Sequence, residues 1–540
     1  MSARSTRSVS RGAVLALALV TGAIGLVVPT SAAAAPVAKA PAPISWGECA
    51  PEELVGVPEA ELPLYSCADY AVPLDHEKPK LGTINIALMR RAALDQANRI
   101  GSLFLNPGGP GGSGYRMPKS GANIFEPEVM ERFDLIGFDP RGVARSTPLR
   151  CFATAEDADD VFGRMHPLPV TGQQESTTIK AYKDYGKFCG RFGGPLLEHM
   201  STEDVAQDLD MLRGAVGDKK LTFVGFSYGT MLGATYVNMF PKKARAIILD
   251  GNVDPKLRVN DGVEYDRQRT DGGFQYALDN YLSRCDQDPD CAFAGDAREK
   301  FTELHNYLRE VGPITLPDGT VADEAAVIGT VAGVLYSPAD FGELAELLQA
   351  LYDASHPSAA SRKAMTVSTA EVKALLANAP LAKMDIWPDS PYASDDSYLA
   401  VNCSDKPFNN TIGEVPRIAD KWERQIPDFG RYLAWGDPAG CPVWPVKDAD
   451  AYRGPWNHRT ATPVLLFGNY YDPATQYEFS KRMSRQLGNA RLVSVDSFGH
   501  CILGDSSCTD QIAADYLIDL EVPGPGTVCH PDVQPFPSVQ

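Results

Sequence analysis

Apolar residues along this chain come in short runs, and the runs alternate with stretches of helical period. Residues 83–89 and 102–105 read as early strands. Residues 133–138 (FDLIGF) read as another, turned by Asp139-Pro140-Arg141-Gly142. The stretch 151–200 is polar and predicts irregular structure. Thr202 is placed to cap a helix reaching about Val216, with Val205, Leu209, Leu212 and Val216 on one face. Residues 221–224 form a short β-run, 231–240 a helix and 246–249 a further strand. Strand alternating with helix implies a mostly parallel sheet flanked by helices.

The alternation then stops. From 254 to 456 the pattern is helical or irregular, without a strand run of similar quality. It resumes at 463–467 and 491–495, and a helix over 510–520 closes it. The simplest account is an α/β sheet interrupted by a large, mainly helical insertion. A chain of 540 residues accommodates this, since a domain usually takes roughly 100–200 residues. The division expected is a leader over 1–35, a linker or pro-segment over 36–43, a first core part over 44–253, the insertion as a cap over 254–456, and the C-terminal core part over 457–540.

Charge and cysteine content set the surroundings. The formal net charge is −19, which argues against nucleic acid as a partner, because phosphate recruits Lys and Arg. Arg4, Arg7 and Arg11 precede an apolar run from Ala13 to about Val28, and Ala33-Ala34-Ala35 supplies an A-x-A-type site. That is the layout of a signal peptide, so export with cleavage is expected. The run is short for a spanning helix, which needs about 20 residues, and no membrane anchor is expected. Cleavage after Ala35 would remove the three arginines and no acid, taking the charge from −19 to −22. Eleven cysteines in an exported chain suggest disulfides, with at least one thiol left over. Sequence does not fix connectivity. Proximity suggests Cys49–Cys67, Cys151–Cys189, Cys285–Cys291, Cys403–Cys441 and Cys508–Cys529, leaving Cys501. No Cys or His cluster has metal-ligand spacing, and no metal or cofactor is expected.

Gly225-Phe226-Ser227-Tyr228-Gly229 matches G-x-S-x-G between a β-run and a helical run. This resembles the nucleophile elbow of the α/β-hydrolase fold, where a sharp turn exposes the serine and small neighbours permit the close approach. The nucleophile needs a base, and the base an orienting acid, in the order Ser, acid, His. His500 follows the last strand run, in Ser497-Phe498-Gly499-His500. Asp472 follows the preceding one, in Gly468-Asn469-Tyr470-Tyr471-Asp472. His76, His166, His199, His305, His356, His458 and His530 lie in polar loops, helices or the tail and read as surface residues. An oxyanion needs preorganised N–H donors. The Tyr228 N–H is one candidate. The other is Gly109, in the loop N-P-G-G-P-G-G-S-G (106–114) directly after a strand. That loop lacks the G-K-[ST] of a phosphate-binding P-loop.

The set 106–114, G-F-D-P-R-G (137–142), G-F-S-Y-G-T (225–230), Y-D-P-A-T (471–475) and G-H (499–500) resembles the secreted tripeptidyl aminopeptidases of actinomycetes, which are related to proline iminopeptidases. Cys403-Ser404-Asp405 and Cys441-Pro442-Val443-Trp444-Pro445 resemble family features as well. The resemblance implies Ser227 as nucleophile, Asp472 as acid, His500 as base, Gly109 and Tyr228 as oxyanion hole, and cofactor-free release of short N-terminal peptides, commonly tripeptides. Two positions depart from it. Gln476 stands where the family often has Pro. Cys501 directly follows the histidine, which suggests sensitivity to thiol reagents.

Exopeptidase action needs a reader for the substrate's free ammonium, and Asp405, Asp254 and Glu264 are candidates. The alternatives are an esterase or lipase, or a proline iminopeptidase-like aminopeptidase, on the same machinery, and a non-catalytic hydrolase fold used for binding. No pattern in the sequence sets the oligomeric state, the number of residues released per cut or the side-chain preference.

Overall fold

The computed structural model describes residues 41–316, 319–356, 391–393, 396–447 and 451–536. The expected signal peptide, and the expected linker up to residue 40, lie outside the described residues. The strands are β1 (Tyr65–Pro73), β2 (Thr83–Arg91), β3 (Gly101–Asn106), β4 (Phe133–Phe138), β5 (Leu221–Phe226), β6 (Ala244–Asp250), β7 (Ile314–Thr315), β8 (Val321–Ala322), β9 (Val464–Tyr471), β10 (Ala490–Phe498) and β11 (Val528–Cys529). Nine of them form one sheet in the order β1-β2-β4-β3-β5-β6-β9-β10-β11, and β7 pairs with β8 apart from it. The pairs β1·β2 and β2·β4 are antiparallel. From β4 to β11 the sheet is parallel.

Every residue of β3 and β4 is buried, as expected of strands covered on both faces. The pleat sends alternate side chains to opposite layers. Phe104, Phe223, Leu249 and Leu466 meet the helices Thr202–Ala215, Gly229–Met239 and Tyr477–Gln486. Leu103, Leu105, Val224, Ile248 and Phe467 meet Pro127–Arg132 and Ser507–Asp519. A separate apolar cluster gathers Phe274, Leu278, Tyr281, Phe301, Leu304, Leu344 and Leu348, from helices between β6 and β9, with Phe498 and Phe536. Since β6 and β9 are neighbours in the sheet, the chain between them is an excursion that returns to the same sheet.

The structure departs from the expectations at identifiable points. The stretch 151–200 contains the helices Ala155–Gly163 and Gly172–Phe192. The second buries Thr178, Ala181, Tyr185, Gly186 and Cys189, a face at helical spacing made of small, polar and aromatic residues rather than aliphatic ones. Ser201, not Thr202, caps the helix Thr202–Ala215, its side chain accepting from the Asp204 N–H. Strand β1 was not anticipated. Two histidines expected at the surface are built into contacts with carboxylates. His76 Nε2 lies 2.8 Å from Asp208 Oδ1, and His305 Nε2 lies 2.8 Å from Glu324 Oε1. The five disulfides are Cys49–Cys67, Cys151–Cys189, Cys285–Cys291, Cys403–Cys441 and Cys508–Cys529, and Cys501 is free. No helix among the described residues is long and apolar enough to cross a membrane.

Candidate active site

The residues with chemistry stand at the carboxyl ends of the parallel strands, where open α/β sheets hold their sites. Ser227 follows β5, Asp250 ends β6, Asp472 follows β9 and His500 follows β10. The glycine loop leaves β3 at Asn106.

Ser227 has φ 56°, a left-handed conformation that costs a non-glycine residue of order 1–3 kcal/mol and persists only where the surroundings impose it. Here the Ser227 N–H donates to the Asp250 carbonyl at 2.8 Å and its carbonyl accepts from Thr230 N at 2.9 Å. A Cβ on Gly225 would fall 2.4 Å from the Gly229 carbonyl oxygen, so the two glycines of the motif close the turn against each other. Gly108 meets the same turn from the other side. A Cβ there would lie 2.8 Å from Ser227 Cβ and 2.9 Å from the Tyr228 nitrogen, so the peptide leading to Gly109 runs directly beside the elbow. Asp139, from the G-F-D-P-R-G motif, braces the far end of this loop. It accepts from Ser113 Oγ at 2.5 Å and from the Tyr115 N–H at 3.2 Å. Arg141 of that motif is fully buried and holds Asp208 through two contacts of 2.7 Å, tying the motif to the helix Thr202–Ala215.

His500 Nδ1 lies 3.0 Å from each carboxylate oxygen of Asp472. Asp472 is positioned by its own turn: Oδ1 accepts from the Ala474 and Thr475 N–H groups at 2.8 and 2.7 Å, and Oδ2 from Thr475 Oγ1 at 2.8 Å. The His500 N–H donates to the Tyr336 carbonyl at 2.9 Å, and the Tyr336 ring packs edge-on at 5.2 Å. His500 Nε2 is buried and makes no hydrogen bond. With Nδ1 committed to the acid, Nε2 is the nitrogen available to a reacting proton, and such contacts tighten when substrate enters. Burial disfavours the imidazolium, but the charges of Asp472 and Asp250 outweigh it and hold the pKa above its usual value, with Arg269 opposing them.

Two features here were not read from the sequence. Asp250 is fully buried; its Oδ2 accepts from the Ile502 and Leu503 N–H groups, just past His500. Gly251 follows it, and a Cβ there would fall 2.8 Å from Cys501 Sγ and 3.1 Å from His500 Cε1. The only signals were an acid at the end of a strand and a glycine after it. A cavity of about 430 Å³ lies on another side of His500, lined among others by Tyr336, Pro338, Phe498 and Cys501.

The three acids considered for the substrate ammonium each have partners of their own. Asp405 is buried and accepts from the Thr202 N–H at 3.0 Å and Thr202 Oγ1 at 2.5 Å. Thr202 Oγ1 in turn meets the Tyr228 hydroxyl at 2.5 Å, so Asp405 supports the residue after Ser227 through its side chain. Asp254 caps the helix Pro255–Arg258 and takes Gln486 and Arg482 at 2.7 and 3.3 Å. Glu264 pairs with Arg267 and Gln268 on its own helix.

Residues 101–326 match the family model described as alpha/beta hydrolase fold, and residues 426–529 match the model described as TAP-like protein. The chain belongs to the α/β-hydrolase family, and its relatives named serine protease and tripeptidyl aminopeptidase make it a serine peptidase of that family. It is 32% identical over 506 residues to "Serine protease Hip1" of Mycobacterium tuberculosis, covering 90% of this chain and 91% of that protein. It is 28% identical over 528 residues to the "Tripeptidyl aminopeptidase" of Streptomyces lividans, covering 94% and 90%. It is 30% identical over 510 residues to "Carboxylesterase B" of Mycobacterium tuberculosis, covering 90% of each.

Proposed function

We propose that this enzyme is a secreted serine exopeptidase that removes tripeptides from the free N-terminus of peptides. The observation that carries the serine-hydrolase chemistry of this reading is the His500 ring, bound through Nδ1 to both oxygens of Asp472 with Nε2 left free. In the reaction Ser227 Oγ attacks the scissile carbonyl and His500 Nε2 takes its proton. Asp472 holds the tautomer and stabilises the imidazolium. The tetrahedral oxyanion is held by the N–H groups of Gly109 and Tyr228, each worth about 3–4 kcal/mol by analogy with other oxyanion holes. His500 then gives the proton to the leaving amine, and water attacks the acyl-enzyme by the same steps.

The segment 254–456 acts as a cap over the site. Residues 1–35 act as a signal peptide, a reading supported by the five disulfides, which persist in oxidising compartments. The choice of peptide bonds, and of three residues per cut, is supported by the tripeptidyl aminopeptidase likeness.

A second reading, an esterase, is favoured by the carboxylesterase likeness, because the same triad serves esters and amides. One peptide series, each member with a free and an acetylated N-terminus, separates the two when products are identified by mass spectrometry. Tripeptides released only from free N-termini support the exopeptidase. Indifference to acetylation, or ester cleavage without peptide cleavage, overturns it.

A further inference from the structure

Arg269 ends the helix Gly262–Arg269 and opens the π-helical segment Thr270–Gln275. This segment packs on the Asp472 turn. Gln476 Nε2 donates to the Gln268 carbonyl at 2.6 Å, and a Cβ on Gly273 would fall 2.2 Å from the Pro473 carbonyl oxygen. The Arg269 guanidinium lies 5.9 Å from the centre of the Phe274 ring. Phe274 packs 6.1 Å from Tyr336, and Tyr336 5.2 Å from His500. Arg269 therefore belongs to the wall that carries the histidine, and its charge acts on His500. It also interacts electrostatically with Tyr398, whose backbone nitrogen lies 3.0 Å from where a Cβ on Gly111 would be. Tyr398 thus lies against the glycine loop, and the Arg269 charge acts on both Tyr398 and His500.

Around Arg269, Lys406 Nζ meets Asp266 at 2.7 Å and Asp437 at 2.5 Å, and Arg258 lies 4.0 Å from Asp405 and donates to Asn402 Oδ1. Among the described residues Arg269 has no hydrogen bond and no carboxylate at ion-pair distance; its Nε is buried without an acceptor, and the charge of Asp266 acts on it from further off. Guanidinium stays protonated, and a desolvated charge without a partner is unfavourable. Its planar fork fits a carboxylate through two parallel hydrogen bonds.

We propose that Arg269 is a specificity residue that receives a carboxylate of the substrate, either an Asp or Glu side chain near the scissile bond or the C-terminal carboxylate of a short peptide. The inference rests on the reading of Ser227 as the nucleophile, and it deepens that reading by naming a substrate class. Such substrates supply the hydrogen-bonded carboxylate that the fold does not give this guanidinium. Peptides with the isosteric amide in place of the carboxylate leave it unpaired.

The test uses peptides that differ by Asp against Asn or Glu against Gln at one position at a time, each made as C-terminal acid and as amide. The ratio of kcat/KM for acid over amide is measured in the wild type, Arg269→Lys and Arg269→Gln. The wild type is expected to favour the carboxylate at least tenfold at one position, mainly through KM. The ratio should fall to about one in Arg269→Gln and be partly kept in Arg269→Lys. The side-chain and C-terminal arms identify the source. The same acid and amide peptides are titrated calorimetrically into Ser227→Ala, with and without Arg269→Gln, so that the result does not depend on turnover. Retained hydrolysis by Ser227→Ala would remove the nucleophile reading while leaving the binding comparison intact. A wild type that does not distinguish acid from amide at any position, or a ratio unchanged in Arg269→Gln, overturns the proposal.

Discussion

The carboxylate of Asp250 holds the backbone N–H of Ile502 at 2.8 Å, two residues beyond His500. The same oxygen takes the Leu503 N–H at 3.0 Å, while Oδ1 is buried without a partner. Burial pushes the Asp250 pKa up to about 7, against the pull of these two N–H groups. Its charge in turn helps to raise that of His500. Since His500 must be neutral to accept the serine proton, Asp250→Asn should move the acid limb of the kcat/KM–pH profile to lower pH. An unmoved limb would separate Asp250 from the base. Stability follows the opposite logic from a salt-bridged acid. A carboxyl with a raised native pKa binds its proton more tightly folded than unfolded, so stability falls as pH rises from about 4 to about 7. The full effect is on the order of 4 kcal/mol. Asp250→Asn should remove that slope, read from thermal unfolding between pH 4 and 8.

Ser227→Ala should lower kcat by roughly 10⁴–10⁶, and Asp472→Asn by about 10⁴ through the wrong imidazole tautomer. Steady-state kinetics on one peptide, with thermal unfolding as a control for folding, checks both. Either variant keeping most of the wild-type rate is incompatible with the assigned role.

Gly251 has φ 70° and no room for a side chain, its missing Cβ facing Cys501 Sγ and His500 Cε1. Gly251→Ala should push the imidazole away from the elbow. Displacement of a catalytic group by about 1 Å costs about 10²-fold, so kcat should fall by that order. The left-handed alanine costs a further 1–2 kcal/mol or so of stability. A crystal structure of the variant, or the shift of its His500 resonance, tests whether the ring has moved.

The strands that carry the site were legible because they are near-continuous apolar runs broken by turn chemistry. Their observed ends differ from the expected ones by a few residues, as for 102–105 against Gly101–Asn106. The helix Gly172–Phe192 was not legible, since its buried face rests on Thr178, Ala181 and Tyr185 rather than on a Leu or Val stripe. Strand β1 was hidden by a mixed burial pattern, open to solvent at Asp69 and Ala71. In the site, Asp472 and His500 were readable from their loops after the last two strand runs and from the chain order that the elbow requires. Asp250 and Gly251 could not, because their role depends on a contact across 250 residues of chain with the loop after His500. The acids Asp405, Asp254 and Glu264 illustrate the converse: the need for an ammonium reader suggested them as candidates, and only the fold supplied their partners.

Cys501 tests the sensitivity to thiol reagents that its place beside the histidine suggests. Beside a histidine, a thiol suggests reactivity, and thiol reagents were expected to act on it. In the fold its Sγ faces the Asp250 carbonyl oxygen at 3.4 Å. Burial, followed by the charges of Asp250 and Asp472, pushes its pKa well above the usual value. Alkylation proceeds through the thiolate, which is scarce here at neutral pH. Native protein treated with iodoacetamide at about pH 7.5 should therefore keep its activity and take up little label. After unfolding without reductant, a single thiol per chain should react, since the other cysteines are held in five disulfides. Peptide mapping should place that label on Cys501. Rapid labelling of the native protein with matching loss of activity would show instead that the thiol is exposed and ionised, and that the contact with the end of β6 is not kept in solution.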